Sequence, residues 1–142
     1  MNRDGLNLMK ERFGQDTLLA LGTLNGDYPA IRYVNAYYED GAFFVITYAL
    51  SNKMRQIAQN PNVSVCAEWF TATGKARSLG YFGREENRAL AARLREVFAT
   101  WIDNGHNNFE DENTIILKIE LENAVLFSHG TKYEISFQAN PA

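Results

Sequence analysis

A single cysteine, Cys66, is all the thiol chemistry available to this chain of 142 residues. An internal disulfide is therefore excluded, and a reducing cytoplasm is the compartment that suits it. Histidine is nearly as scarce. His106 and His129 are the two present, far apart and each among polar neighbours. With one thiol and no close histidine pair, the chain lacks the donor set of a structural zinc site, and no metal is expected. Basic residues are not in excess either: 14 Lys and Arg against 17 Asp and Glu give a net charge of −3. That balance argues against a broad nucleic-acid surface. No window approaches the ~18 consecutive apolar residues of a membrane span, and the opening Met1-Asn-Arg-Asp-Gly-Leu-Asn-Leu8 has no signal-like apolar stretch. A glycine-rich dinucleotide fingerprint and a nucleophile-elbow glycine pattern are missing as well.

What remains is ordinary globular composition, with 46% hydrophobic and 22% charged residues. The length suits one domain spanning residues 1–142. Residues 5–13 read as a short opening helix. Strands are expected at 17–24 and 30–38, joined by a tight turn at Asn25-Gly26, where both residue types tolerate positive φ. A second such turn at Asp40-Gly41 leads to the apolar strand 41–47. Val63 to about Phe70 and 74–82 read as further strands, with Cys66 a small buried hydrophobe in the apolar run. Leu90, Leu94, Val97, Phe98 and Trp101 recur at three- and four-residue spacing and predict a helix over 84–103. Strands at 114–121, and at 124–127 running on to 133–137, complete the chain. The hairpins make the strands antiparallel neighbours, so the pattern is mainly β and points to a closed or split β-barrel with added helices. Both histidines read as solvated, His106 in a polar loop and His129 in a turn between the last strands.

The chemistry concentrates between strand 41–47 and Asn60-Pro61. Ser51 is placed to cap a helix over 51–59, because its hydroxyl accepts from the first free backbone N–H groups. Asn60-Pro61 ends that helix, since the residue before a proline is pushed out of the α region. Lys53 falls in the first turn, where free N–H groups and the positive dipole end already favour an anion. The segment reads as a seat for a phosphate.

The ordered set of Arg32-Tyr-Val on one strand, Thr47-x3-Ser51-x-Lys53, Gln56-Ile57, Asn60-Pro61, Val63-Ser-Val65, Trp69 and Gly80 resembles the pyridoxamine 5′-phosphate oxidase-like, FMN-binding split-barrel family. The similarity covers about residues 17–82, with a looser match in the final strands. It implies a homodimer with FMN in the cleft between subunits and a small-molecule substrate. Carried over by position, Arg32 and Lys53 hold the FMN phosphate and Ser51 caps the helix that presents it. Tyr33, Val34 and Asn35, with Ile46 and Thr47, lie along the isoalloxazine ring, largely through backbone groups. Lys75 falls where relatives place a glutamine of the second subunit against the flavin. A lysine there favours the anionic reduced ring and raises the reduction potential.

The departures from the family pattern are specific. Asn52 stands where the authentic oxidases have a second basic residue, so the phosphate site has one charge fewer. Ala36-Tyr37-Tyr38 replaces a stretch that carries a lysine. The Tyr-x3-Arg-x3-Ser substrate grouping and the Arg-Leu-x-Pro ending have no counterpart. These differences imply that the chain is not a vitamin B6 oxidase. Two classes of function follow from the resemblance. One is an FMN-dependent oxidoreductase passing electrons from the reduced flavin to a small organic acceptor. The alternative is a non-catalytic flavin- or haem-binding protein for storage, sensing or delivery, with His129 as the candidate haem ligand.

Overall fold

The computed structural model describes residues 2–105 and 107–137. The chain runs through α1 (Asn2–Phe13), β1 (Thr17–Asn25), β2 (Tyr28–Glu39), β3 (Ala42–Tyr48), α2 (Asn52–Gln59), β4 (Asn62–Ala67) and β5 (Phe70–Tyr81). A 3₁₀ turn (Glu85–Asn87), α3 (Arg88–Val97), β6 (Thr114–Ser128) and β7 (Thr131–Ser136) follow. The strands are ordered β3-β2-β1-β4-β5-β6-β7, and every pairing is antiparallel. β3 also pairs with β6, from Ala42↔Glu120 to Tyr48↔Thr114. That pairing closes six strands into a barrel, with β7 appended to β6, and confirms the expected split β-barrel.

Side-chain alternation along each strand builds the interior. Leu19 and Leu21 of β1, Phe43 and Val45 of β3, Phe70 of β5 and Leu117, Ile119 and Leu126 of β6 all point inward. Met9 and Phe13 of α1 pack into this core, as do Met54 and Ile57 of α2. Phe13 meets Phe43 and Phe70 with ring centroids 5.7 and 4.7 Å away. The alternate residues of β3 and β6, Phe44 and Ile116, face a second cluster with Leu94, Phe98 and Ile102. β3 is thus apolar on both faces, which is why its sequence reads as an unbroken apolar run. Arg93 fastens α3 to the barrel through a two-pronged contact with Glu39 at 2.8 and 2.9 Å.

Several boundaries depart from the sequence reading, each for a physical reason. The first hairpin turns at Gly26-Asp27, since Asn25 still pairs with Tyr28. Asp40 and Gly41 form the second turn as expected, at φ 48° and 84°. The helix expected over 84–103 is regular only from Arg88 to Val97; beyond it, Ala99 and Trp101 bond three residues back, to Glu96 and Phe98. The apolar stripe nevertheless continues, because Phe98 and Ile102 stay buried. β4 stops at Ala67, and Glu68-Trp69 make a tight turn with Trp69 at φ 60°. Arg12 reinforces that corner by donating to the carbonyls of Glu68 and Phe127. Cys66 is exposed rather than buried, because Val63 and Val65 take the inward positions of β4. The final strands are one continuous β6 and a short β7, joined at His129-Gly130. His129 is exposed at that turn, whereas the reading of His106 lies outside the described residues. No helix among the described residues is long and apolar enough to cross a membrane.

β5 begins at Phe70, four residues earlier than its sequence indicated, because Gly74 lies inside the strand at a register shift against β6. A Cβ at Gly74 would stand 2.2 Å from the Glu120 carbonyl oxygen. The two backbones therefore touch where any side chain would force them apart. Gly74→Ala is expected to destabilise the fold by about 1–3 kcal/mol or more through overpacking. Urea denaturation would check this, and a midpoint equal to that of the parent would contradict it.

Candidate functional site

β2 and β3 share only three paired positions, Tyr37↔Phe44, Tyr38↔Phe43 and Glu39↔Ala42. Beyond Tyr37 the strands part. β2 continues on β1 alone, and β3 continues on β6. The facing edges of the two strands, from Ala36 back along β2 and from Val45 to Tyr48 along β3, have no ladder partner across the gap. Such edges present unpaired N–H and C=O groups. Tyr33, Val34 and Asn35 border the gap on β2, and Ile46 and Thr47 border it on β3. The residues assigned by resemblance to a flavin ring therefore flank one split.

α2 follows β3 at the mouth of this split. Ser51 caps it as expected, its Oγ accepting from Met54 N at 3.4 Å. Asn60 ends it in extended conformation before Pro61, with its N–H returned to the Gln56 carbonyl at 2.9 Å. Met54 and Ile57 anchor the helix to the core. Lys53 and Gln56 occupy a neighbouring face, three residues apart and hence side by side. Lys53 Nζ donates to Thr47 Oγ1 at 2.5 Å, so the end of β3 and the start of α2 are joined at the site itself.

Arg32 reaches the same place from β2. Its Nη1 donates to Thr23 Oγ1 at 2.7 Å and to the Leu21 and Ala30 carbonyls at 3.2 and 3.3 Å. Its Nη2 donates to Gln56 Oε1 at 3.0 Å. Thr23, buried in the barrel wall, donates to the same Gln56 oxygen at 2.6 Å. Sequence reasoning gave Thr23 and Gln56 no role. The signals were the i, i+3 spacing of Lys53 and Gln56, and the β1–β2 register, which sets Thr23 diagonally across from Arg32.

The remaining assignments sort into two groups. Val34 and Ile46 are half-buried against the two apolar clusters, so their side chains serve packing. Tyr33 points outward and is 73% exposed. Asn35 is tied by its side chain to Asp16 Oδ1 at 3.1 Å, and Asp16 Oδ2 accepts from Trp101 Nε1 at 2.9 Å. Asn52 is exposed and accepts from Arg55 Nη2 at 2.6 Å, which brings a guanidinium back to the first turn. Lys75 is not gathered into this group within one chain. Its ammonium binds Asn62 at 2.6 Å and lies 3.7 Å from Glu122 on an exposed sheet face.

The electrostatics are unbalanced. The ion pairs among the described residues lie elsewhere, and none includes Arg32, Lys53 or Arg55. Burial pulls the Lys53 ammonium below its ordinary pKa, and the nearby Arg32 charge pulls it further. Burial acts in the same direction on Arg32. The fold therefore holds a charge on Lys53 at a cost to its stability. Lys53→Met is expected to raise the melting temperature of the ligand-free protein at pH 7. That advantage is full below the lowered folded-state pKa and fades as pH rises from there through the ordinary 10.5. Melting curves from pH 7 to 11 would check it; a lower melting temperature for the variant at pH 7 would contradict it.

The geometry agrees with comparisons to known proteins. No curated protein matches the chain by sequence. Among solved structures, a NimC/NimA family protein from Clostridium acetobutylicum is 20% identical with a TM-score of 0.66, covering 95% of this chain and 91% of that one. A FAD-binding protein from Mesorhizobium loti is 12% identical with a TM-score of 0.66, covering 83% and 90%. A haem-binding protein from Mycobacterium smegmatis is 17% identical with a TM-score of 0.64, covering 89% of this chain and 55% of that one. At these identities the likeness establishes a shared fold. The family model described as pyridoxamine 5′-phosphate oxidase matches residues 7–126, which take in the barrel, the split and α2. On that match the chain belongs to the pyridoxamine 5′-phosphate oxidase family.

Proposed function

We propose that this protein binds FMN and acts as an oxidoreductase, passing electrons from the reduced flavin to a small organic acceptor. The observation that carries the reading is the convergence of Arg32 and Lys53, without a carboxylate, at a capped helix start beside the open β2–β3 split. The residues present fit the cofactor at both ends. Arg32 and Lys53 would hold the phosphate with the first N–H groups of α2, an arrangement that favours a dianion. Asn52 brings no charge, but Arg55 leans on it from one turn away and returns a cation to the rim. The unpaired edges beside Tyr33–Asn35 and Ile46–Thr47 would meet the polar margin of the ring, with Val34 and Ile46 beneath. FMN, when bound, supplies the electron-transfer chemistry, while the protein supplies binding, orientation and electrostatics.

A flavin fits these residues better than haem does. His129, the candidate axial ligand, stands exposed at the β6–β7 turn, where its Nδ1 lies 3.1 Å from Ser128 Oγ. The visible spectrum of the purified protein, titrated with FMN and separately with haem, distinguishes the two. Flavin bands or saturable quenching of FMN fluorescence are expected, and a Soret band without flavin binding would overturn the reading. Arg32→Ala and Lys53→Ala should each weaken FMN binding by ~1.5–3 kcal/mol, about 10- to 150-fold, as loss of a bond to a charged group does. Riboflavin, which lacks the phosphate, should bind both variants as it binds the parent. Unchanged FMN affinity in both would defeat the phosphate assignment.

We also infer a homodimer that walls the split with a second copy, the arrangement through which Lys75 would meet a flavin. Leu18, Ile31 and Tyr33 share the outer face of β1 and β2 and are 58%, 74% and 73% exposed. Three exposed apolar side chains on one face support that reading. This face adjoins a concavity of about 680 Å³ over Gly22, Ser64, Cys66 and Thr73. Ile31→Arg should convert a dimer to a monomer in sedimentation analysis and weaken FMN binding with it. A monomeric parent would refute the arrangement.

A further inference from the structure

Among the described residues, Arg32 joins one hydroxyl and one amide side chain to two backbone carbonyls and has no carboxylate partner; Arg12 and Arg55 also lack one but are held by backbone carbonyls or a single amide oxygen. Arg93 faces the carboxylate of Glu39, Arg88 that of Glu85 and Arg95 that of Asp103. The acceptors around Arg32 are two backbone carbonyls, one hydroxyl and one amide oxygen, all neutral. Three of the contacts form a closed ring. Nη1 donates to Thr23 Oγ1, that hydroxyl donates to Gln56 Oε1, and Nη2 donates to the same Oε1. The directions follow from the groups themselves. A guanidinium only donates, so the Gln56 oxygen and not its nitrogen must face Nη2. Thr23 Oγ1, accepting from Nη1, has its own hydrogen left for Gln56.

The ring occupies the end of the guanidinium, between its two terminal nitrogens. The Nε–H makes no hydrogen bond to any described residue, and Nη2 has Gln56 Oε1 as its one acceptor among them, so the side edge formed by Nε–H and the outer Nη2 hydrogen has no acceptor among the described residues. That edge matches a pair of phosphate oxygens. We propose that Thr23 and Gln56 are positioning residues that orient Arg32 with neutral atoms only, so that its charge and its free edge are reserved for a phosphate monoester. The inference rests on the flavin reading above and adds to it the device that makes the site selective for the phosphorylated cofactor.

A glutamate in place of Gln56 has the same shape and tests the point directly. It would pair with Arg32, cancel the reserved charge and repel a phosphate, while leaving the packing of α2 intact. The quantity to measure is the ratio of riboflavin to FMN dissociation constants, by quenching of flavin fluorescence, with melting temperature alongside. Gln56→Glu is expected to lower that ratio by about tenfold or more, with riboflavin affinity unchanged and stability equal to or above that of the parent. Thr23→Val should lower the ratio as well, and Thr23→Ser, which keeps the hydroxyl, should restore it. Should Gln56→Glu fail to fold, the Thr23 pair decides the question alone. A folded Gln56→Glu with the parent ratio would overturn the proposal, as would equal losses for both ligands, which mark a merely structural role. If Arg32→Ala abolishes the preference while the Gln56 and Thr23 variants keep it, the positioning role falls and the flavin reading stands. If the parent itself shows no preference for FMN over riboflavin, both fall together.

Discussion

The pairing of β3 with β6 sets the terms for everything else in this molecule. β3 is a short strand, and its seven residues are matched in full by β6. Having that partner, it can leave β2 after three positions without orphaning its backbone along both sides. A conventional hairpin would have zipped β2 and β3 together from the Asp40-Gly41 turn to their ends. The barrel is closed instead at the β3–β6 seam, and β2 and β3 are left facing each other across a gap with their ladder edges free. The helix that follows β3 is delivered to the mouth of that gap.

The site itself is a local exception to the rules that the rest of the chain obeys. Elsewhere, Arg88, Arg93 and Arg95 lie against carboxylates and apolar side chains fill the two cores. At the split, two partly buried cations share a small space with neutral acceptors and each other. Burial and like charge both act against them, and no hydrogen bond to a carbonyl or a hydroxyl removes a net charge. Sites built for ligands are where perturbed groups of this kind collect.

Much of the architecture was legible because local chemistry and global fold agree. Ser51, Lys53 and Asn60-Pro61 specify α2 with signals that act within one or two turns, and Asp40-Gly41 specifies its hairpin through the φ values the two residues accept. Other features were hidden for identifiable reasons. Gly74 reads as the first residue of a strand and not as an interior one, because its purpose, contact with the Glu120 carbonyl, depends on a residue 46 positions away. Cys66 looked buried because the apolar run around it hides a period of two. The apolar stripe of the third helix outlasts its hydrogen-bond pattern, so periodicity alone overstated its length. At the site, Lys53 carries a first-turn charge that a sequence can show, and Arg32 is reached through the family resemblance. Thr23 and Gln56 show no role there, since a threonine on a strand and a glutamine on a helix acquire meaning only when the barrel brings them to the same guanidinium.

Asp16 carries a last consequence. One of its oxygens accepts from Asn35 at the edge of the split, and the other accepts from the indole nitrogen of Trp101. Trp101 is one of two tryptophans, and the other, Trp69, is exposed at the β4–β5 hairpin corner. Indole emission shifts with the charge beside the ring. Asn35 and the indole are thus joined through a single carboxylate, so a displacement of Asn35 would be felt beside a chromophore.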